Sequence, residues 1–524
     1  MRQNPKKLRP GAELAVRADV WHPRAVAPPD RADERVPFVG VVLRAVVSVL
    51  FVGLFLLGIV DCVLRDANYL DAPRNDRVQF VSSQAMSRGF HERCGPYAPG
   101  GRPVAISMLY SEDKRPWIEQ AARRFARLCP NIQIELTPAE DGPSTYLPLL
   151  EGDAPPTLWA PADDLVGAVV DARWREGHAE RLLDPAERLS LLRSPLVWLT
   201  WRDREDAIAA LLRSDADAKV GPWAQLACAT IDPDPDLGDL PREDMLPGTW
   251  LEWYLAVADP PQEPADGSDA APVGQALADW GRVKFMHPHP GRSGVGLAAL
   301  YLMAQDRVMA PSRRAAREGG ALGEDEPLEC PYAGPPALLP EAFGAELGAQ
   351  REALTRWLRR CEAGVDDFTP SADALTHALF NLGPAQIDVA VADEHAALEL
   401  LRQLDSSDGA ADQLRVIYPA ATVITEHPVH VLRPDDAKLA LEHQAARRWI
   451  GFLRSREAQE DAVLRGFRPA TAEVAPERLE RPGNPFLQMR RFGISPDAPT
   501  GVPLVAGEAL RDLLDAWGEA TGRY

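Results

Sequence analysis

The chain has 524 residues, too many for one small core, and its 46% apolar and 26% charged residues are an ordinary globular composition. Its net charge of −20 argues against a nucleic-acid partner, because phosphate binding needs a concentrated basic face. Acidic balance reports solubility and does not identify a ligand.

Residues 1–35 are polar and rich in Pro and Arg, the composition of a disordered cytoplasmic tail. Residues 36–64 differ. From Ala45 to Val60 they read AVVSVLFVGLFLLGIV without a charge, bracketed by Arg44 and Asp61. A helix needs roughly 20 mostly apolar residues to cross a bilayer, and this stretch reaches that length when its charged ends snorkel. A buried helix and a cleaved signal peptide are the alternatives. The long basic lead and the lack of an A-x-A-like site weigh against the signal peptide. Cys62 follows Asp61, not the small residues of a lipoprotein processing site. Residues 1–44 carry nine Lys/Arg against five Asp/Glu, so that side stays in the cytoplasm and the large remainder lies outside. The expectation is a single-pass protein of the cytoplasmic membrane with its C-terminal domain on the periplasmic or extracellular side. Residues 65–101 read as a tether.

The first regular unit follows. VAISML (104–109) is the continuous apolar run of a strand buried on both faces. Trp117, Ala121, Phe125 and Leu128 recur at helical spacing until Pro130 stops the helix. Ile132, Ile134 and Leu136 alternate with polar residues as a second strand, which completes a parallel βαβ unit. Short strands are expected at TLWA (157–160), LVWLT (196–200), VKFM (283–286), IDVAV (387–391), LRVIY (414–418) and PVHVL (428–432). Helices follow PADDL, GRSG and residue 394, and two amphipathic helices near 446–453 and 510–517 close the chain. Pro-rich stretches near 232–244, 259–272 and 310–340 read as surface loops. Of the five cysteines beyond the span, Cys94 with Cys129 and Cys330 with Cys361 are the pairings considered; five cannot all pair internally.

Several blocks, in order, resemble the bacterial extracellular solute-binding proteins of the type-2 periplasmic-binding fold, in the branch related to molybdate-binding proteins. They are LYSEDKRPWIEQAARRFARLCPNIQIEL, TLWAPADDL, SPLVWLTW, VKFMHPHPGRSGVGLAAL, IDVAVADEHA, VIYPAATVITEHPVHVL and ARRWIGFLRSREAQEDAVLRGFRPA. The resemblance covers residues 102–524. It implies an α/β fold of two lobes joined by hinge crossovers, preceded by the single N-terminal transmembrane helix. Residues 102–200 and 418–524 would form the first lobe and residues 201–417 the second, with loop insertions. It also implies a non-enzymatic binding protein of a transport (ABC-type) or sensing system, which takes a small-molecule ligand by hinge closure and hands it to a permease or signals to a sensor. The alternative is the same fold without a small ligand, acting as an envelope interaction or scaffold protein.

By position in that family, the cleft would be lined by Ser111, by Ser144 and Thr145, by Asp163, by Arg292, Ser293 and Gly294, and by Asp393 and Glu394. Backbone N–H groups at helix starts suit an anion. Two departures weaken an oxyanion ligand: the turns at Asp163–Asp164 and Asp393–Glu394 are acidic, and Ala392 stands where molybdate-binding relatives carry Tyr. Arg292 is the cation that could offset them. No cofactor and no metal is expected. His287 and His289 in HPHP are flanked by prolines that mark a turn, and the calcium-like spacing of Asp232, Asp234, Asp236 and Glu243 is broken by Pro233, Pro235 and Leu237. No GxSxG, HExxH or Walker pattern is present.

Overall fold

The computed structural model describes residues 103–152, 155–214, 221–228, 248–252, 273–312, 340–365, 367–405, 409–419, 421–433, 436, 439–495, 497 and 499–523. The expected tail (1–35), span (36–64) and tether (65–101), and the calcium-like Asp232–Glu243 run, lie outside these residues. Among the described residues no helix is long and apolar enough to cross a membrane.

The first unit forms as its pattern dictates. β1 (Val104–Ser111) is followed by α1 (Arg115–Leu128), β2 (Ile132–Ala139), α2 (Pro143–Leu150), β3 (Leu158–Ala160) and α3 (Asp164–Gly177). β1 lies between β2 and β3, parallel to both. α1 buries Trp117, Ile118, Ala121 and Phe125, the face its periodicity marks.

β4 (Arg188–Trp201) then runs for 14 residues and is fully buried from Ser194 to Trp201. α4 (Glu205–Ser214), α5 (Pro222–Cys228), α6 (Val273–Trp280), β5 (Phe285–Met286), α7 (Gly294–Val308), α8 (Pro340–Cys361), α9 (Ala372–Leu382), β6 (Val389–Asp393), α10 (Glu394–Asp405) and β7 (Leu414–Ile417) follow. The chain returns through β8 (Ala421–Thr422) and β9 (Ile424–Val431). It ends with α11 (Ala440–Leu453), α12 (Arg456–Val463), β10 (Arg468–Pro469), α13 (Pro485–Gln488), β11 (Thr500–Gly501) and α14 (Gly507–Thr521).

The strands order as β2-β1-β3-β9-β4-β6-β5, with β7 and β10 also on β4, while β8 and β11 pair apart. β4 is shared. Its Arg188–Pro195 portion pairs antiparallel with β9, and its Leu196–Trp201 portion pairs with β6 and β7. β9 in turn meets β3 at Leu158 and Trp159. Two α/β halves are thereby joined by crossing strands, as the blocks above imply.

Each half has its own core. Phe125, Trp449 and Phe452 pack between the β1–β3 region and α11, with Phe125 and Trp449 centroids 5.2 Å apart. Val197, Leu199, Leu401, Val416, Phe486 and Phe492 fill the other half, so residues 485–494 pack with β6 and β7. A third cluster connects them: α14 packs Leu510, Leu513 and Trp517 with residues of both α3 and α8. Burying a large apolar side chain is worth about 2 kcal/mol, which makes α14 a strong tie between the halves.

Cys361 does not bond Cys330. It pairs with Cys228, joining α5 to the end of α8 across 133 residues. The sequence offered no reason to favour Cys228, because the pairing depends on how α5 stacks beside α8. Cys129 is also disulfide-bonded; Cys94, the partner considered for it above, lies outside the described residues. The double variant Cys228→Ala/Cys361→Ala is expected to lose about 2–4 kcal/mol of stability, checked by denaturant melts of the full chain; an unchanged midpoint would show that the bond carries no stability.

Candidate functional site

Five turns converge at the carboxyl ends of strands from both halves, where open α/β sheets place their ligands. Residues 112–113 follow β1, 140–141 follow β2, and 162–163 follow β3. Residues 393–396 end β6 and open α10, and residues 370–373 open α9. With Thr425 and His427 of β9, and Val295 at the start of α7, they line a cavity of about 170 Å³.

Helix N-termini do face this cavity, but the chain caps them itself. Asp163 accepts from Val166 N (2.8 Å) at α3, Ser371 from Ala374 N (3.2 Å) at α9, and Asp393 from Ala396 N (3.2 Å) at α10. An anion would meet carboxylates where it needs free amides.

The mouth is clasped. Ser144 N and Oγ both donate to Gly291 O, at 3.1 and 2.6 Å, and Arg292 Nη2 reaches both oxygens of Glu140 at 3.1 Å. Gly142 lies so close to the Arg292 backbone that any Cβ would collide with it. A Cβ on Gly294 would stand 2.7 Å from Asp163 Oδ2. Both glycines serve close approach of the two halves.

The interior is strongly acidic. Buried Lys114 donates from Nζ to Pro161 O (2.9 Å) and to Ser111 Oγ, and lies 3.5 Å from Asp113 Oδ1. Burial pulls its pKa down against the pull of Asp113 and Asp141. Asp113 stays below the usual carboxylate range: burial pushes it up, and Lys114, His427, the Ser111 hydroxyl and His395 together more than offset this. The other acids are not so served. Burial raises Asp163 to about 7 and Asp393 to about 6. Asp141 is held well above its ordinary value by burial and by the charges of Asp113, Asp163 and Asp393, and burial raises Asp373. His427 is driven down to about 3 by burial and by Lys114, so it is a neutral imidazole. Phe467 positions both cavity histidines, stacking on His395 at 3.8 Å and meeting His427 edge-on at 5.3 Å.

Among the residues expected in the cleft, Asp163 and Asp393 line the cavity. Ser111 is fully buried behind the wall, where its hydroxyl bonds Asp113 and Lys114. Ser144 and Arg292 form the clasp; Arg292 is spent on Glu140 at an exposed position and does not offset the buried acids. Thr145 N bonds Gly142 O at 3.1 Å in the same turn. Ser293 caps α7 through Gly296 N (3.4 Å), and Gly294 gives that helix its contact with Asp163. Glu394 turns away. Arg468 binds it through two 2.7 Å bonds, and Tyr418 OH donates to it. Sequence reading missed Asp113, Asp141, Asp373, His395 and His427. The acidic turn at Glu112–Asp113 was a visible signal; nothing local marked His427.

His287 is not a metal ligand. Nδ1 lies 2.7 Å from Pro288 O and Nε2 lies 2.9 Å from Glu362 Oε1. Both partners are acceptors, so both ring nitrogens carry protons.

No protein-family profile matches the chain, and no curated protein matches it. Solved structures do. Iron-bound HitA from Pseudomonas aeruginosa aligns at 13% identity over 80% of this chain and 98% of its own, with a TM-score of 0.40. A putative spermidine/putrescine ABC transporter from Listeria monocytogenes aligns at 12% over 79% and 98%, with a TM-score of 0.41. The substrate binding domain of a putative molybdenum ABC transporter from Clostridium difficile aligns at 11% over 70% and 99%, with a TM-score of 0.31.

Two outcomes are expected. Gly142→Val, which sets a branched side chain against the Arg292 backbone, should keep the mouth open. Small-angle scattering would show a larger radius of gyration than wild type, and an unchanged radius would rule out the steric argument. His287 gives a pH dependence. Glu362 and Pro288 O hold its pKa above the ordinary 6.5 despite burial, which acts to lower it. Its stabilisation is therefore complete below about pH 6.5 and fades as pH rises through the higher folded value. Wild type should lose stability from pH 6.5 to 9 more steeply than His287→Gln in denaturant melts.

Proposed function

We propose that the chain is an extracytoplasmic binding protein that captures a small cationic solute between its two halves and presents the closed form to a membrane permease or sensor. The observation that carries this reading is the cavity itself, walled by turns from both halves and clasped at its mouth by residues 140–144 against 291–292. Parting the clasp would widen access to such a cavity, and that is the hinge action of a solute receptor.

The sign of the solute follows from the charges. Burial, and behind it the neighbouring carboxylates, raises these acids by disfavouring their charged forms, and a cation in the cavity would offset that cost. Self-capped helix N-termini disfavour an anion at the same place. The disulfides support the outer face of the membrane, where such bonds form and persist. The apolar 36–64 segment and the basic excess before it support anchoring there, near the partner that would read the closed state.

Thermal-shift screening of the detergent-purified full chain against inorganic cations, organic amines and oxyanions tests this. A solute that binds only the folded state at 100 times its Kd stabilises it by about 2.7 kcal/mol. Cations should raise the melting temperature and shrink the radius of gyration. A shift with oxyanions alone would reverse the proposed charge, and no shift with any class would favour a protein-interaction role for the fold.

A further inference from the structure

We infer that the solute is a divalent transition-metal cation taken by Asp113, Asp393 and His427, an assignment that rests on the binding-protein reading above. One donor atom of each of these residues lies within 4.8 Å of the others. They come from three separate parts of the fold: Asp113 from the turn after β1, Asp393 from the end of β6 in the other half, and His427 from the crossing strand β9. The set is therefore assembled by closure of the halves on one another.

Unpartnered groups supply an independent pointer. His427 is 2% exposed and lines the cavity, and its Nε2 has no hydrogen-bond partner. Its Nδ1 lies 3.4 Å from both Asp113 Oδ2 and Lys114 Nζ. Nδ1 thus faces both the carboxylate and the ammonium, while Nε2 is the ring nitrogen left without a partner. Asp163 Oδ2, equally buried in the same wall, has no partner either.

The donor chemistry selects among cations. Among the described residues the lining contains no Trp, Tyr or Phe, so these offer an organic ammonium no such aromatic face. Asp113 and Asp393 bring carboxylates from both halves to within 4.8 Å of one another, a spacing that suits a compact ion better than an extended amine. An imidazole among carboxylates favours manganese, iron or zinc over calcium and magnesium, which take oxygen ligands. A space of about 170 Å³ leaves room for water ligands beside the ion.

The test uses the detergent-purified full chain, stripped with chelator and titrated with Mn²⁺ and Zn²⁺ by calorimetry. One ion per chain is expected, at micromolar Kd or tighter, with Asp113→Asn, Asp393→Asn and His427→Gln each weakening it at least tenfold. Asn at 393 can still cap α10, so the fold is retained. Pulsed EPR of the Mn²⁺-loaded wild type needs no variant, and it should show coupling to one imidazole. Coupling to no imidazole or to two, or metal binding untouched by all three variants, would overturn the ligand set. No metal binding together with a melting shift from spermidine would overturn the metal assignment and leave the solute-receptor reading standing. No response to metals, amines or oxyanions would sink both.

Discussion

The register of β4 is the constraint on which the rest depends. One strand belongs to two half-sheets, antiparallel to β9 before Leu196 and antiparallel to β6 and β7 after it. Because side chains alternate along a strand, a slip of one residue would turn every side chain of β4 to the opposite face and against the wrong core. The junction is pinned by side chains: Thr425 Oγ1 donates to Ser194 O at 2.5 Å, and Thr422 Oγ1 donates to Leu196 O at 2.9 Å. With β4 and β9 fixed in this way, the carboxyl ends of β1, β3 and β6 meet at one place. His427, two residues beyond Thr425 on the crossing strand, is carried into the cavity between them.

Charge at that place follows from the way the helices start. A helix whose first amides face a cavity is a ready anion site, and the same geometry accepts a carboxylate from the chain itself. Here Asp163 and Asp393 take that position, and each is an N-cap as well as a wall residue. The cap uses one oxygen. The carboxylate's remaining capacity faces inward, where Asp113 and Asp141 add further charge and Lys114 is the buried counter-ion beside Asp113. Local helix capping and the acid character of the cleft are thus one feature seen at two scales. Geometry that could present amides to an anion is turned, through two side chains, into a cavity lined by carboxylates.

Much of the fold was legible because its strands are short apolar runs bounded by turn residues. VAISML, TLWA, LVWLT and IDVAV fall within or next to β1, β3, β4 and β6. The early part of β4 was not legible: RLSLLRSP mixes polar residues with apolar ones and ends at Pro195, which pairs with Ile424 at the junction. α8 also escaped, since it begins at Pro340 beside a stretch read as loop. For the cleft, sequence alone could find residues that follow a strand and start a helix, and it found Asp163, Ser293 and Asp393 on that ground. It could not see that Glu394, one residue further, would turn to Arg468, because Arg468 arrives on β10 from the far end of the chain. Nor could it bring His427 beside Lys114, 313 residues away, without the register of β9.

The closed state is held unequally on its two sides. At the mouth the contacts are a serine on a glycine carbonyl and an ion pair, Glu140–Arg292, with both side chains about half exposed. Exposed pairs of that kind are worth about 0–1 kcal/mol. Gly142 and Gly294 contribute nearness without apolar side chains of their own. At the back, α14 buries Leu510, Leu513 and Trp517 with residues from both halves, and β4 and β9 run through continuously. Any opening must therefore begin at the mouth and pivot on α14 and the crossing strands. With so little holding the mouth, crowded buried acids act against closure when the cavity is empty. On the proposed reading a cation that neutralised them would remove that opposition, so the charge that selected the solute would also couple its binding to closing.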